Sequence, residues 1–321
     1  MKYRSLGRSA LQVSELCLGT MNFGPRTSAA DSFTILNHAL DAGINFIDTA
    51  DQYGGELGVG TTETILGDWL KEDASRRDRI VLATKVHEPM SDRVNDRGLS
   101  AHHIRKACDA SLQRLGVDHI DLYQMHHIDR LAPIEEIWQA MEQLIRQGKI
   151  TYVGSSNFPG WAIARANEKA LAQSRLGLVS EQGLYNLIER RAEMEVLPAA
   201  QAYGLGLIPW SPLAGGLLAG KSTADSGRRQ AAGMQQAIAE HGSQLERFAA
   251  LCAELGETPS AVALAWLLHQ PGVSATIIGP GSTAQLASVL HVPDIALSAQ
   301  TLQRLDDIFP PVGPAPEAYA W

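Results

Sequence analysis

Four polar residues that could share one proton-transfer site stand at or just after the ends of apolar segments of the chain. Asp48 ends the segment INFID, and Tyr53 follows it five residues later. Lys85 ends the next strong apolar run, and His126 follows the run Ile120–Met125. Short apolar runs of this kind are typical of strands buried on both faces of a parallel sheet. A carboxylate buried alone at such a strand end is costly, so we expect Asp48 to pair with Lys85.

Together, these residue types have the chemistry of a general acid and its supports. Tyr53 could donate a proton, although an ordinary tyrosine has a pKa of about 10. A nearby ammonium favours tyrosinate, so we expect Lys85 to lower the pKa of Tyr53 while Asp48 keeps the lysine charged and fixed. His126 could donate a hydrogen bond to a substrate oxygen. General acid assistance of this kind is typically worth about 10²–10⁴ in rate.

Each of these residues also has a purely structural interpretation. A buried Asp48–Lys85 pair could stabilise the fold, and Tyr53 could pack its ring over loop backbone. A lone histidine such as His126 is more often a core residue than a catalyst. His127 is expected to point the other way along the strand and to be structural. What favours function is the placement of all four residues at strand ends of one sheet.

Helical patterns separate the apolar runs, so strands and helices alternate along the chain. The spacings from Asp48 to Lys85, then to His126 and to Asn157, are 37, 41 and 31 residues, which are natural lengths for βα units. Eight such runs without a linker predict an α/β fold, a (β/α)8 TIM barrel forming one domain over 1–321. A doubly wound open sheet is the main competitor. In a barrel the loops after every strand converge on one face, which would gather the four side chains.

Further elements are predicted around these repeats. Residues 2–13 predict a short N-terminal β-hairpin, and two extra helices are expected near 243–255 and 259–269. Ser100 is expected to cap a helix that ends at Gly116. Three other segments are a turn at 154–157, a helix over about 190–203 and an irregular Pro-rich tail at 310–321.

Composition excludes several classes of protein. The chain has 321 residues, of which 45% are hydrophobic, so it can bury a large core, and its formal charge of −8 argues against nucleic-acid binding. No apolar run reaches about 18 residues, so no membrane span is expected. The N-terminal segment MKYRSLGRSALQV is too polar for a secretory signal. The cysteines, Cys17, Cys108 and Cys252, lack CxxC spacing, which is typical of reduced cysteines in a cytoplasmic protein.

Six sequence blocks occur in a fixed order along the chain, together with the strand that carries Lys85. They are YRSLGRSALQVSELCLGTMNFG, NFIDTADQYG, SLQRLGVDHIDLYQMHHID, GKITYVGSSNF, EQGLYNLIER and IPWSPLAGGLLAGK. With these blocks the chain resembles the aldo-keto reductases, in the branch that also includes the β subunits of voltage-gated potassium channels. The resemblance covers nearly the whole length.

The resemblance implies an enzyme that reduces a small carbonyl compound with a nicotinamide cofactor. Asp48, Tyr53, Lys85 and His126 would form its catalytic tetrad, and no metal is implied. The cofactor would lie extended across the barrel mouth without a Rossmann domain, in agreement with the lack of a G-x-G-x-x-G motif after a strand.

The resemblance also implies a set of residues that contact the cofactor. Ser156, Asn157 and Gln182 would bind the carboxamide, and Trp210 would stack on the nicotinamide ring. The remaining contacts would come from Gly19, Thr20, Met21 and Asp48 near the first strands, from Ser211, Pro212, Leu213, Gly216 and Lys221 near the pyrophosphate, and from Gly279, Gly281 and Gln285 toward the adenosine.

One block departs from the family pattern and bears on the choice of cofactor. Gly281 stands where many relatives carry an arginine for the 2′-phosphate, and Ser288 and Val289 replace polar residues. A missing guanidinium weakens the preference for NADPH, because arginine is well suited to phosphate recognition. NADPH is still expected because it is the usual cofactor of the family that the chain resembles, with NADH as the alternative.

Two functions of other classes compete with this interpretation. Residues 215–222, GGLLAGKS, match the phosphate-binding motif of P-loop nucleotide hydrolases, but no apolar helix pattern follows them. The second is a cofactor-sensing binding subunit resembling the channel β subunits. Those relatives carry asparagine at the position of His126, so the histidine favours a working enzyme.

Overall fold

Eight parallel strands form a nearly closed barrel in the computed structural model, which describes residues 1–220 and 232–320. They pair in the order β10-β3-β4-β5-β6-β7-β8-β9, and a bridge between Leu207 and Val273 links β9 to the segment before β10. The predicted (β/α)8 barrel is therefore confirmed. The strands are β1 (Tyr3–Ser5), β2 (Gln12–Ser14), β3 (Leu16–Gly19), β4 (Phe46–Asp48), β5 (Val81–Val86), β6 (Ile120–Met125), β7 (Ile150–Ser156), β8 (Leu178–Leu184), β9 (Gly206–Trp210) and β10 (Thr276–Ile278).

Helices follow the barrel strands and cover their outer faces. Large apolar side chains such as Trp69, Trp138 and Trp266 fill the layer between helices and strands and are almost fully buried. The helices among the described residues are α1 (Ala29–Asp41), α2 (Thr61–Glu72), α3 (Ser75–Asp78), α4 (Ala101–Leu115), α5 (Ile134–Arg146), α6 (Gly160–Leu171), α7 (Val196–Ala202), α8 (Ala232–Glu240), α9 (Gly242–Leu255), α10 (Pro259–Leu268), α11 (Thr283–Ala287), α12 (Ala299–Ile308) and α13 (Glu317–Ala320). The two extra helices expected between the last two strands are α9 and α10.

The N-terminal hairpin, β1 and β2, packs against the inward-facing side chains of the barrel. Leu6 and Val13 are fully buried in a cluster with Phe46, Leu122 and other strand residues. Gly7 makes this approach possible, because it has a φ of +55° and an added Cβ would lie 2.3 Å from the Val179 carbonyl oxygen. The hairpin thus closes the end of the barrel away from the strand carboxyl termini.

Helix α4 illustrates how local sequence positions an element. The Ser100 hydroxyl accepts a hydrogen bond from the His103 amide at the first turn, and Gly116 ends the helix with a φ of 63°. Leu99 and Ile104 are both fully buried beside the cap. These features match the predicted cap and stop signals.

Some predicted boundaries are wrong. The segment 154–156 belongs to β7 rather than to a turn, because Gly154, Ser155 and Ser156 pair with β8 after a register shift at Val153. The predicted helix 190–203 is reduced to α7, preceded by a 3-10 turn over Arg191–Glu193. The tail is less irregular than expected, since it contains α13. In β7 the pairing with its neighbour outweighs the turn propensity of small residues.

No helix in the described part of the chain is long and apolar enough to cross a membrane.

Candidate active site

The carboxyl ends of β4 to β9 bring the predicted site residues to one mouth of the barrel. Lys85 on β5 is in register with Gln124 on β6, and Ser156 on β7 is in register with Gln182 on β8. Trp210 ends β9. Parallel pairing sets this arrangement, because neighbouring strands of a barrel end at the same rim.

Lys85 lies at the centre of the site and is fully buried. Its Nζ donates to Asp48 Oδ2 at 2.5 Å, to the Thr49 carbonyl oxygen at 2.9 Å and, over a longer 3.4 Å, to the Tyr53 hydroxyl. An ammonium has three protons to donate, so these three acceptors use its full capacity. The expected Asp48–Lys85 pair is thus present, with Tyr53 as the third partner of the lysine.

Two side-chain amides hold the other oxygen of Asp48. Gln124 Nε2 and Gln182 Nε2 each donate to Asp48 Oδ1 at 2.9 Å. Sequence reasoning missed Gln124, although a lone polar residue in the apolar run Ile120–Met125 was a usable signal. The Gln182 NH₂ group is therefore engaged with protein rather than available to a ligand.

The pKa values of Tyr53 and Lys85 follow from burial and from their contact. Burial raises the pKa of the Tyr53 phenol and the Lys85 charge lowers it, with a balance above the ordinary value. Burial lowers the pKa of Lys85, but Asp48 and Tyr53 raise it, and here too the balance is above the ordinary value. The expected lowering of the Tyr53 pKa is therefore wrong, because desolvation outweighs the ammonium. The phenol stays protonated at neutral pH, as a proton donor requires.

His126 lies against the tyrosine as a neutral imidazole. Its ring meets the Tyr53 ring edge-on, with 5.9 Å between centroids. Burial, followed by the charge of Lys85, lowers the pKa of His126 to about 2, so the ring is uncharged at neutral pH. Its buried Nδ1 has no hydrogen-bond partner among the described residues.

His127 does not point away from this site, contrary to expectation. Its ring stacks on that of His126, with centroids 5.1 Å apart and planes 15° from parallel. Both histidines come after β6, which ends at Met125, so the alternation of side chains along a strand no longer applies.

Asn157 ties three strand ends together. It has a φ of 57°, its Nδ2 donates to the His126 carbonyl oxygen and to Ser156 Oγ at 3.0 Å each, and its Oδ1 accepts from Trp210 Nε1 at 3.0 Å. The half-buried indole of Trp210 is thereby held at the mouth. Both amide hydrogens of the Asn157 side chain, and its Oδ1, are thus engaged with protein.

Ser156 and Gln182 retain hydrogen-bonding capacity that fits a carboxamide. Within the described residues, Gln182 Oε1 and the Ser156 hydroxyl hydrogen have no partner. An acceptor and a donor on adjacent strands complement the NH₂ and C=O groups of an amide. These residues therefore fit the carboxamide of a nicotinamide.

The remaining predicted cofactor residues lie around the same mouth, apart from Lys221, which is not among the described residues. Thr20 is buried and donates to the Asp48 carbonyl oxygen at 3.0 Å, whereas Met21 is 59% exposed. After β9, Ser211 and Gly216 have φ values of 52° and 106°, so the chain turns sharply through Pro212 and Leu213. After β10, Gly279 accepts from Asn22 Nδ2 at 3.0 Å, and the Gly281 amide donates to Gln285 Oε1 at 2.7 Å. Lys221 lies outside the described residues.

A second buried network lies behind the site and was also missed. Glu63 accepts from Thr84 Oγ1 at 2.6 Å and from Arg114 Nε at 2.7 Å. Asp51 is fully buried beside it, and its two carboxyl oxygens have no hydrogen-bond partner in the part of the chain described. Burial, and then the charge of Glu63, raise the pKa of Asp51 well above its ordinary value.

Sequence similarity to known proteins extends over most of the chain. Residues 15–309 match the Aldo/keto reductase family. An uncharacterized oxidoreductase, YrpG, of Bacillus subtilis is 51% identical over the whole length of both chains. A putative voltage-gated potassium channel subunit beta of Schizosaccharomyces pombe is 34% identical over 95% of this chain and 92% of its own. Versiconal hemiacetal acetate reductase of Aspergillus parasiticus is 31% identical over 97% of this chain and 98% of its own.

Proposed function

Because the chain belongs to the aldo/keto reductase family, we propose that it reduces an aldehyde or ketone to the alcohol, with Tyr53 as the proton donor. A bound nicotinamide cofactor supplies the hydride that the carbonyl carbon accepts. The carbonyl oxygen takes the Tyr53 proton, and solvent returns a proton to the tyrosinate. One carbonyl group, one hydride and one proton give one alcohol.

The observation that carries this proposal is the buried Lys85 between Asp48 and Tyr53. With three acceptors around its ammonium, the lysine keeps its charge and lies 3.4 Å from the tyrosine oxygen. That charge stabilises the tyrosinate left after proton transfer, when negative charge develops on the oxygen. Asp48 fixes the lysine, and the amides of Gln124 and Gln182 fix Asp48.

His126 has a different part in the proposal. A neutral imidazole beside the phenol can donate a hydrogen bond to the same carbonyl oxygen without competing for its proton. The low pKa of His126, about 2, keeps the ring in this form at neutral pH. Tyr53 and His126 together would orient the carbonyl group.

For the cofactor we propose NADPH, held at its carboxamide by Ser156 and Gln182 and at its ring by Trp210. The family relationship supports a nicotinamide cofactor, and the absence of an arginine at Gly281 leaves NADH as the alternative. An added Cβ at Gly281 would meet Gln285 Oε1 at 3.5 Å, an ordinary contact, so a Cβ is tolerated there. Gly281→Arg should therefore increase the NADPH-over-NADH affinity ratio about tenfold, measured by quenching of tryptophan fluorescence. An unchanged ratio would mean that this position does not face the 2′-phosphate.

We further propose a cytoplasmic location, on the observation that Cys17, Cys108 and Cys252 are all free thiols buried in the core. Secreted proteins more often join such residues in disulfides.

The direct test of the activity is a panel of aldehydes and ketones with NADPH oxidation followed by absorbance. Turnover of at least one carbonyl compound is the expected result. A second candidate, a cofactor-sensing subunit, is favoured by the potassium channel subunit names of relatives at 33–34% identity. Tight NADPH binding without turnover of any carbonyl in the panel would favour that candidate instead.

A further inference from the structure

Strands β7 and β8 place two pairs of residues side by side on opposite faces of the barrel wall. Ser156 is in register with Gln182, and Ser155 is in register with Glu181. Successive side chains of a strand point to opposite faces, so the second pair lies behind the first, on the outer side of the wall. The inner pair has the free donor and acceptor that fit a carboxamide. The outer pair has no part in the proton transfer.

Glu181 is fully buried and contacts the chain on both sides of the inner residues of β7. Its Oε1 accepts from the Phe158 amide at 3.0 Å, and its Oε2 accepts from the Ser155 hydroxyl. Ser155 and Phe158 flank Ser156 and Asn157, the two residues at which the chain leaves β7. One carboxyl group thus holds the chain before and after them.

The segment that Glu181 holds has an uncommon backbone conformation. Asn157 has a φ of 57°, in the left-handed region that few residues other than glycine adopt. Such a conformation persists only where surrounding contacts fix it. The Asn157 amide donates to the Gln182 carbonyl oxygen at 3.0 Å, so the next amide, that of Phe158, needs a different acceptor. Phe158 is buried, and Glu181 is the only partner of its amide among the described residues.

The contacts of Glu181 include no cation, since it forms no ion pair with any described residue. Burial raises the pKa of the Glu181 carboxyl to about 8, although hydrogen bonds from Ser155 and Phe158 oppose this. The group is therefore mainly protonated at neutral pH. Its Oε2 can then donate to Ser155 Oγ, whose own hydrogen can turn to the Ser180 carbonyl oxygen at 3.4 Å. Glutamine has the same donor and acceptor and can make the same contacts.

We propose that Glu181 is a positioning residue for the nicotinamide end of the cofactor, and that it acts by fixing Ser156 and Asn157. This inference rests on the proposed function, because it takes Ser156 and Gln182 to hold the carboxamide. Without an acceptor at Glu181, the buried Phe158 amide has no partner, and the segment has to move to find one. The Ser156 hydroxyl is then no longer held beside Gln182, so part of the binding free energy is spent on ordering the site.

The test compares the dissociation constants of NADPH and of 2′,5′-ADP, a cofactor fragment that lacks the nicotinamide. Glu181→Leu should weaken NADPH binding about tenfold, the effect expected of one lost hydrogen bond, and change 2′,5′-ADP binding less than about twofold. Glu181→Gln should restore NADPH affinity to within about threefold of wild type, because it again accepts from the Phe158 amide. If NADH binds more tightly than NADPH, the same comparison is made with NADH and ADP.

Asp129→Leu is the matched control. Asp129 also accepts from the amide of a buried residue, that of Leu99 at 2.9 Å, but it holds the segment before α4. Its replacement should change both dissociation constants less than about twofold. If Glu181→Leu does not fold, Ser155→Ala takes its place. It removes the hydroxyl that contacts Oε2 and should weaken NADPH binding about threefold, again without an effect on 2′,5′-ADP.

The outcomes separate the two proposals. If wild type binds neither NADPH nor NADH, the proposed cofactor function is wrong, and the role of Glu181 falls with it. If wild type binds the cofactor but the leucine variant binds it equally well, the positioning role is wrong while the function stands. The same holds if the leucine variant loses affinity equally for NADPH and 2′,5′-ADP, as a merely structural role predicts, or if Glu181→Gln is as weak as Glu181→Leu.

Discussion

Asp48 and Asp51 lie three residues apart and are both buried, yet their surroundings differ completely. Asp48 Oδ2 accepts from the Lys85 ammonium at 2.5 Å, and its Oδ1 accepts from two amides. The Asp51 oxygens have no hydrogen-bond partner among the described residues. Two carboxyl groups three residues apart thus differ: both oxygens of Asp48 accept hydrogen bonds, whereas neither oxygen of Asp51 has a partner among the described residues.

Successive residues of β5 serve the two regions from opposite faces. Lys85 points inward to Asp48, and Thr84 points outward to Glu63. The inner region balances one carboxylate with one ammonium, whereas the outer region has two carboxyl groups, Asp51 and Glu63, near the single guanidinium of Arg114. Charge is therefore retained where the proposed chemistry needs it, whereas burial and the charge of Glu63 raise the pKa of Asp51 and favour its protonated form.

The largest effect is expected from removing the inner cation. Lys85→Met should lower turnover by about 10²–10⁴, because Tyr53 loses the charge that stabilises its anion. It should also lower the free energy of unfolding by about 3–5 kcal/mol, since a buried carboxylate is left without its partner. Carbonyl turnover and urea denaturation measure the two losses.

A surface lysine provides the control for that variant. Lys149 pairs with Asp109 at 2.6 Å, with side chains 32% and 51% exposed. Lys149→Met should change the free energy of unfolding by about 1 kcal/mol or less. If both lysine variants lost a similar amount of unfolding free energy, the buried Asp48–Lys85 pair would matter no more for stability than a surface pair.

The outer region should respond in the opposite direction. An unfolded aspartate ionises near pH 4, whereas native Asp51 keeps its proton because burial and Glu63 raise its pKa. The native state therefore binds more protons, and stability falls as pH rises above about 4. Asp51→Asn removes this fall, so its stability relative to wild type should increase by up to about 1.4 kcal/mol for each pH unit between about 4 and the native pKa of Asp51.

Urea denaturation at pH 5 and pH 8 tests this pH dependence. Glu63→Gln is the matched control, because it removes the negative charge that pairs with Arg114 and should destabilise the protein. If Asp51→Asn were less stable than wild type at both pH values, Asp51 would be ionised in the native state and the contrast between the regions would be lost.

A smaller effect is expected from one of the amides that hold Asp48. Gln124→Leu removes one hydrogen bond to a charged oxygen that Gln182 still contacts, and should cost about 1–3 kcal/mol of unfolding free energy. Turnover should fall less than in Lys85→Met, because the ammonium remains. A variant as inactive as Lys85→Met would make Gln124 as important as the lysine itself.

More of the barrel than of the site could be predicted from the sequence. Apolar runs at regular spacings predicted the barrel, because strands buried on both faces are mainly apolar. The meeting of Asp48 and Lys85 was also predictable, since a buried carboxylate needs a cation. Gln124 was missed although its polarity inside an apolar strand marked it, and the assignment of 154–157 to a turn failed because β7 pairs with β8 through its small residues.

Electrostatic balance was the hardest property to foresee. Adjacent charge alone predicts a lowered pKa for Tyr53, but the degree of burial reverses the sign. The contact of His127 with His126 depends on where β6 ends, which a one-residue shift would alter. Both properties depend on three-dimensional packing, which the periodicity of the sequence does not indicate.

Tyr53, supported by Lys85, is proposed to supply the proton for carbonyl reduction. Tyr53→Phe keeps the ring and removes only the hydroxyl. The most direct test measures two quantities in this variant: kcat for the best carbonyl substrate and the dissociation constant for NADPH. We predict that kcat falls by at least about 10² while NADPH binding changes less than about twofold. Unchanged turnover in Tyr53→Phe would contradict the claim.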